Sequence, residues 1–233
     1  MKKLLTVSLA SVALAAMADY TPITVGVAEI TATSQNTIIP APYSSLTGGD
    51  SIAVKDLVKA ANLPEGTMLY YYNGSSFDAW IRSEDKSSWT STSIVSTTKD
   101  GISVAPGADT VSLKPGGALW LVLPQADSYS QKVYVYGAPT ATAGSTVVAG
   151  TNLVANVGSS AKVPDITGAS EGDILSPINT SAFGGYYVYD SKETSWYHIS
   201  AGKAPKVTTL PSIDQYQGLW YISKGSSGAT IAW

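Results

Sequence analysis

The sequence predicts an all-β protein made of two related antiparallel modules, each a β-sandwich or barrel-like unit with at most one short helix. Three observations lead to this prediction. Apolar residues recur in short runs bounded by Gly, Pro, Asn, Asp or Ser, which is typical of strands and turns. Several sequence blocks occur twice in the same order. The chain has no cysteine, so its stability must come from apolar burial, strand ladders or contacts with other subunits.

The N-terminus has the pattern of a secretory signal peptide. Lys2 and Lys3 form a basic start, residues 4–15 are apolar, and residues 16–18 read Ala-Met-Ala, a small-x-small cleavage sequence. A transmembrane helix needs about 20 apolar residues, and this run is shorter. We therefore expect residues 1–18 to be removed and the protein to have no integral membrane span. We expect it to be exported to the cell surface or the extracellular space, with the periplasm as the alternative compartment.

The remaining chain reads mainly as strands. The apolar runs that predict them are residues 23–27, 37–39, 68–72, 119–123, 133–136, 186–189 and 219–222. One segment differs, because Val54, Leu57, Val58 and Ala61 recur at helical spacing and Pro64 follows them. This segment predicts the single short helix of the first module.

An internal repeat defines the expected domains. The blocks that resemble each other are residues 36–40 and 152–156, 54–69 and 163–175, 70–81 and 186–199, and 117–120 and 218–220. Residues 138–151 consist mostly of small side chains with little to bury, which is typical of a linker. We therefore predict a first module over residues 19–137, a linker over residues 138–151 and a second module over residues 152–233, related by duplication.

The first module contains extra sequence between its matched tryptophans. If Trp80 is matched with Trp196, the excess is a Ser/Thr-rich loop near residues 83–100 that carries Trp89. A loop present in only one copy is a common location for a specialised surface, because loops tolerate insertion and carry function. The other interpretation is a hairpin that has diverged between the copies.

The charge of the chain argues against nucleic acid as a partner. There are 14 basic and 17 acidic side chains, with a net charge of −3. No basic run is available to neutralise phosphates, and phosphate neutralisation dominates the affinity of proteins for nucleic acid. An anionic membrane surface is disfavoured for the same reason.

The inventory of reactive side chains predicts a protein without catalytic function, cofactor or dedicated metal site. A Ser-His-Asp triad would have to use the single histidine, His198, which lies in an alternating strand pattern. Glycoside hydrolysis needs only two carboxyl groups, so it remains a remote alternative. The carboxylates that occur at matched positions in both copies are Asp56, Glu65, Asp165 and Glu171. Glu-Gly sequences are typical of turns, which favours a structural role for them. Calcium binding by loop Asp and Asn side chains is left open.

The aromatic residues supply the candidate ligand-binding surface. The chain has 6 Trp and 14 Tyr but only 2 Phe, a bias toward rings that are apolar on one side and polar at the edge. The tryptophans that occur in both copies are expected in the core. Neighbouring residues of a strand point to opposite faces, so some rings of consecutive tyrosines should be exposed. The candidate ligand-binding residues are Trp89, Tyr70, Tyr71, Tyr72, Tyr186 and Tyr187.

These observations favour a non-catalytic, exported structural protein that self-assembles into a layer, sheath or fibre, and the expected partner is therefore another copy of the chain. The strand with Ile23, Val25 and Val27 precedes the first repeat and is the predicted assembly segment, since an exposed strand can pair with the sheet edge of another subunit. The alternative function is a secreted carbohydrate-binding or adhesion module that holds a polysaccharide on its Trp and Tyr rings.

Overall fold

A computed structural model describes residues 25–33, 37–57, 63–82, 88–92, 94–98, 101–104, 107–108, 110–124, 130–139, 144–178 and 185–233. Within these residues the chain forms 21 strands and one four-residue helix, α1 (Val54–Leu57). All strand pairings in the described part are antiparallel. The prediction of an all-β antiparallel protein is confirmed. Helix α1 lies where helical spacing was recognised, and the predicted helical residues Val58 and Ala61 lie outside the described residues.

In its described residues, the first half of the chain supplies twelve strands. They are β1 (Gly26–Thr33), β2 (Thr37–Pro40), β3 (Tyr43–Ser44), β4 (Ile52–Ala53), β5 (Met68–Tyr72), β6 (Phe77–Arg82), β7 (Trp89–Ser91), β8 (Ile94–Thr98), β9 (Gly101–Val104), β10 (Ser112–Leu113), β11 (Ala118–Val122) and β12 (Ser130–Pro139). We call β1-β12-β3 the first outer sheet and β2-β11-β5-β6-β7 the first inner sheet. Two small pairs, β10-β4 and β8-β9, complete this half.

The second half repeats this order of pairing. Its strands are β13 (Gly144–Val147), β14 (Gly150–Ala155), β15 (Asp165–Thr167), β16 (Ile174–Pro177), β17 (Tyr186–Asp190), β18 (Ser195–Ile199), β19 (Lys206–Val207), β20 (Gly218–Ser223) and β21 (Ala229–Ala232). The second outer sheet is β13-β21-β15, and the second inner sheet is β14-β20-β16-β17-β18-β19. In the first inner sheet β11 lies between β2 and β5, and in the second inner sheet β20 lies between β14 and β16 in the same way.

Among the described residues, three apolar clusters join these four sheets. The first lies between the first outer and inner sheets, where Ile30 and Val133 pack with Leu69, Trp80 and Leu119. The second lies between the second outer and inner sheets and contains Val147, Ile231, Val154, Leu175, Leu219 and Tyr221. The third lies between the two inner sheets and contains Ile38, Ala118, Leu153 and Ala155 with the partly buried Trp120 and Trp220. Each inner sheet therefore contributes alternate residues to two different clusters.

The prediction of two separate β-sandwich or barrel-like modules is wrong. The four larger sheets have a propeller-like arrangement of four blades. The physical reason is that the inner strands are apolar on both faces: all four residues of β2 are buried, and Ile38 belongs to the third cluster while Ile39 belongs to the first. A strand that is apolar on both faces requires a sheet on each side.

The strand ladders also correct the predicted alignment of the repeats. Leu69 is paired with Trp80, and the equivalent Leu175 is paired with Tyr187. Trp80 therefore corresponds to Tyr187, and Trp89 of β7 corresponds to Trp196 of β18. Within residues 83–100, β7 is part of the first inner sheet and β8 pairs with β9 in a hairpin.

Residues 138–151 are largely strand. They include the end of β12, all of β13 and the start of β14, while residues 140–143 lie outside the described part. The predicted module boundaries remain a prediction.

The predicted signal peptide, residues 1–18, lies outside the described residues. Among the described residues, no helix combines the length and the apolar character needed to cross a membrane.

Candidate functional site

The tyrosines at the end of β5 divide between the two faces of the first inner sheet. Tyr70 and Tyr72 point toward the second inner sheet, where the Tyr72 ring meets Phe77 at 5.1 Å and Trp220 at 5.9 Å in edge-on contacts. Trp220 in turn lies 6.3 Å from Trp120. These rings form an aromatic cluster that fills the end of the junction between the two halves.

Tyr71 lies on the opposite face and packs against the first apolar cluster. Burial raises the pKa of its hydroxyl, and the negative charge of Asp78, its direct partner across the ladder, raises the pKa further. Tyr71 is therefore held neutral. Its ring is only partly covered, since it also lines a cleft described below.

Trp89 is not the exposed platform that the sequence indicated. It pairs with Arg82 across the β6–β7 ladder, and the Arg82 guanidinium carbon lies 5.2 Å from the centre of the indole ring. The ring packs against the first cluster, and its buried N–H has no hydrogen-bond partner in the described part of the chain. A cation–π contact of this kind stabilises the sheet edge by about 0.5–2 kcal/mol.

The two predicted tyrosines of β17 have different environments. Tyr186 is 41% exposed. Tyr187 packs against the second cluster and stacks on His198 with the ring centres 4.7 Å apart, and burial raises its pKa. The predicted ligand-binding residues therefore do not form one surface. Only Tyr71 and Tyr72 reach a common concave site.

That site is a cleft of about 590 Å³ at the junction of the two halves. One wall is the end of β5, with Tyr71 and Tyr72, and the turn that follows it. Another wall is formed by Ser112 to Pro115 and Gly117, and a third by β13 and β14, including Ser145 and Thr151. A volume of this size is within the range of small-molecule sites. Sequence reasoning missed this cleft because residues distant in the chain meet there.

The walls of the cleft are held by their own hydrogen bonds. The side-chain oxygen Oδ1 of Asn73 accepts from the backbone N–H groups of Ser75 and Ser76, at 3.1 and 3.0 Å, and the side-chain nitrogen Nδ2 donates to Asp78 at 3.2 Å. Asn152 donates to the carbonyl of Val148 at 2.8 Å and accepts from the N–H of the same residue at 3.1 Å. The side-chain amides of Asn73 and Asn152 therefore form hydrogen bonds within the walls of the cleft.

The charges of the cleft cancel, and one buried hydroxyl in it is unsatisfied. Lys114 and Asp50 are the charged residues among those lining it, and they pair with each other at 3.5 Å. Ser145 is 4% exposed, and its hydroxyl has no hydrogen-bond partner among the described residues. The lining of the site is consequently neutral.

The predicted assembly segment forms the open edge of the first outer sheet. In β1 the buried residues alternate with exposed ones, and β12 is the only strand paired with it in the described structure. Val25 and Val27 are 47% and 52% exposed, whereas Ile23 lies outside the described residues. Glu29 binds Lys132 at 2.7 Å, and this hydrogen bond lowers the pKa of the Glu29 carboxyl.

The carboxylates considered for glycoside hydrolysis lie at exposed positions. Glu65 and Glu171 each precede a glycine with φ of +77°, as their Glu-Gly sequences indicated for turns. The Glu171 carboxylate accepts from the backbone N–H of Ser191 at 2.7 Å. Among the described residues, no cluster of three or more His, Cys, Asp or Glu side chains is placed to hold a metal ion.

Comparisons with models of protein families, with curated proteins and with solved structures give no match to this chain. A functional assignment therefore depends on the geometry of the two surfaces described above: the open edge of β1 and the cleft between the halves.

Proposed function

We propose that this protein is an exported, non-catalytic structural subunit that self-assembles by pairing the open edge of β1 with a sheet edge of a second copy. The observation that carries the proposal is the regularity of this edge. β1 is paired with β12 through eight consecutive residues without a bulge, so its other side presents a regular row of backbone N–H and C=O groups for pairing.

The edge also lacks the devices that normally prevent such pairing. Edge strands in monomeric proteins are commonly protected by proline, lysine or a bulge. β1 contains none of these, and its one charge, on Glu29, is neutralised by Lys132. The opposite edge of the same sheet is β3, with only two residues. The long unprotected edge of this sheet is thus on β1.

The outer face beside this edge combines Val27 and two tyrosine rings with the Glu29–Lys132 ion pair. Val27 stands opposite Tyr136, and Glu29 stands opposite Tyr134, across the β1–β12 ladder. The Tyr134 and Tyr136 rings lie 6.5 Å apart. A neighbouring subunit that extends the sheet would also cover these side chains, and burial of apolar area would add to the backbone hydrogen bonds. A layer or fibre needs β1 to pair with a different edge of its neighbour, because pairing of β1 with itself closes a dimer.

The experiment introduces Lys at the exposed positions of the edge, in the double variant Val25→Lys/Val27→Lys. The variant is expected to fold, because both side chains face solvent, and to remain monomeric at concentrations where the unmodified protein assembles, because lysines on adjacent edges repel each other. Assembly is measured by light scattering and negative-stain microscopy.

Val163→Lys is the matched control, since Val163 is 45% exposed and lies outside β1. This variant should assemble like the unmodified protein. Unchanged assembly of the double Lys variant, or a monomeric unmodified protein at all concentrations, would refute the proposal. A deletion of residues 19–30 is unsuitable, because it removes Ala28 and Ile30 from the first cluster and would disrupt folding as well as assembly.

A further inference from the structure

The cleft between the two halves has a composition that selects for one ligand class. Its lining includes Tyr71, whose ring is half-buried, and the hydroxyl-bearing residues Ser112, Thr146 and Thr151. Rings of this type cover the apolar faces of sugars, and hydroxyl and amide groups bond to the sugar hydroxyls. We propose that this cleft binds a neutral oligosaccharide, and this inference is independent of self-assembly.

The charge balance of the cleft favours a neutral ligand. An anionic ligand such as a phosphate or a sulfated sugar would need free cations, but Lys114 is paired with Asp50 at 3.5 Å. A purely apolar ligand would bury the hydroxyls of Ser112, Thr146 and Thr151 without partners, which is costly. A polyhydroxylated neutral molecule satisfies these groups and leaves the ion pair intact.

The backbone adds further bonding groups along one wall. β13 is at the edge of the second outer sheet and pairs only with β21 in the described structure. Residues Gly144 to Thr146 of this strand line the cleft, so N–H and C=O groups that β21 does not use are available beside it.

The cleft is suited to binding rather than cleavage. Hydrolysis of a glycosidic bond requires two carboxyl groups on either side of the bond. Asp50 is the carboxylate among the residues that line the cleft, and it is held in the ion pair with Lys114. The rigid hydrogen bonds of Asn73 and Asn152 shape the walls before a ligand arrives, which lowers the entropic cost of binding.

The test is a titration of the purified protein with three neutral trisaccharides: cellotriose, maltotriose and triacetylchitotriose. Binding is followed by calorimetry and by ligand-observed NMR. At least one of them is expected to bind, and Thr146→Trp should weaken that binding at least about tenfold by filling the cleft. Thr146 is exposed, so this variant should retain the fold.

Thr167→Trp is the matched control. Thr167 is an exposed threonine of the same sheet, on β15, separated from β13 by β21, and it does not line the cleft. Its substitution should leave the affinity unchanged. No binding of any of the three trisaccharides at 10 mM, a concentration about tenfold above a weak millimolar dissociation constant, would overturn the proposal. Equal affinities of the unmodified protein and Thr146→Trp would also overturn it.

Discussion

Tyr221 donates its hydroxyl proton to the Asp173 carboxylate at 2.6 Å inside the second half of the molecule. Both residues are completely buried. The carboxylate also accepts from the backbone N–H groups of Ser170, at 2.9 Å, and Lys224, at 2.6 Å. In the first half the equivalent positions are Thr67, which is also buried, and Leu121. One half thus places a polar network where the other has a hydroxyl and an apolar side chain.

The Asp173–Tyr221 hydrogen bond should contribute measurably to stability. Tyr221→Phe removes one of three donors to a buried carboxylate and should lower the free energy of unfolding by about 1–3 kcal/mol. Urea unfolding at pH 7 measures the change. Tyr197→Phe is the control, because the Tyr197 hydroxyl donates to Glu193 at the surface, at 2.7 Å, where such bonds contribute about 0–1 kcal/mol. Equal losses in the two variants would contradict the expectation.

Stability should fall at alkaline pH through Tyr43. Burial, together with the neighbouring Tyr216, raises the pKa of Tyr43 from 10.0 to about 12. Because the unfolded chain releases this proton at lower pH than the folded protein, the contribution is complete below pH 10 and is lost as the pH rises toward 12. Urea unfolding between pH 9 and pH 11.5, a range chosen to span most of this window, should show a shallower decline for Tyr43→Phe. Identical slopes in the two proteins would exclude this linkage.

The two Glu-Gly turns should respond equally to substitution. Gly66 and Gly172 both have φ of +77°, and a Cβ at either would meet only ordinary contacts, Pro124 at 3.5 Å and Lys224 at 3.8 Å. Gly66→Ala and Gly172→Ala should therefore each cost about 1–2 kcal/mol from backbone strain alone. Thermal unfolding of the two variants measures this. A large difference between them would mean that the turns are not equivalent.

The third apolar cluster should make the two halves unfold together. Ile38 is 6% exposed and packs between the inner sheets. Ile38→Ala should cost about 2–5 kcal/mol, and the more disruptive Ile38→Asp should separate unfolding into two transitions in calorimetry. Ala28→Val, on the outer sheet side of the first cluster, is the control that perturbs packing without touching the junction. A single transition for Ile38→Asp at normal stability would contradict this coupling.

Part of the candidate sites could be predicted from the sequence. The exposure of Val27 follows from the alternation in β1, where every second residue from Ala28 to Ala32 is buried, and Val25 immediately precedes this strand. The tyrosine runs were correctly expected to point to both faces of their strands. Whether a face is covered depends on the sheet opposite, and for this reason the exposure of Trp89 and Tyr187 could not be predicted.

The sequence by itself determined the all-β class, a subset of the strands, the Glu-Gly turns and the repeated order of blocks, because these depend on local backbone preferences and on the two-residue period of a strand. The tertiary structure alone decided that the inner sheets pack against each other and that a cleft opens at their junction. Apolar residues on both faces of β2 require two covering sheets. Which sheets they are depends on the packing of side chains far apart in the chain, such as Ile38 with Leu153.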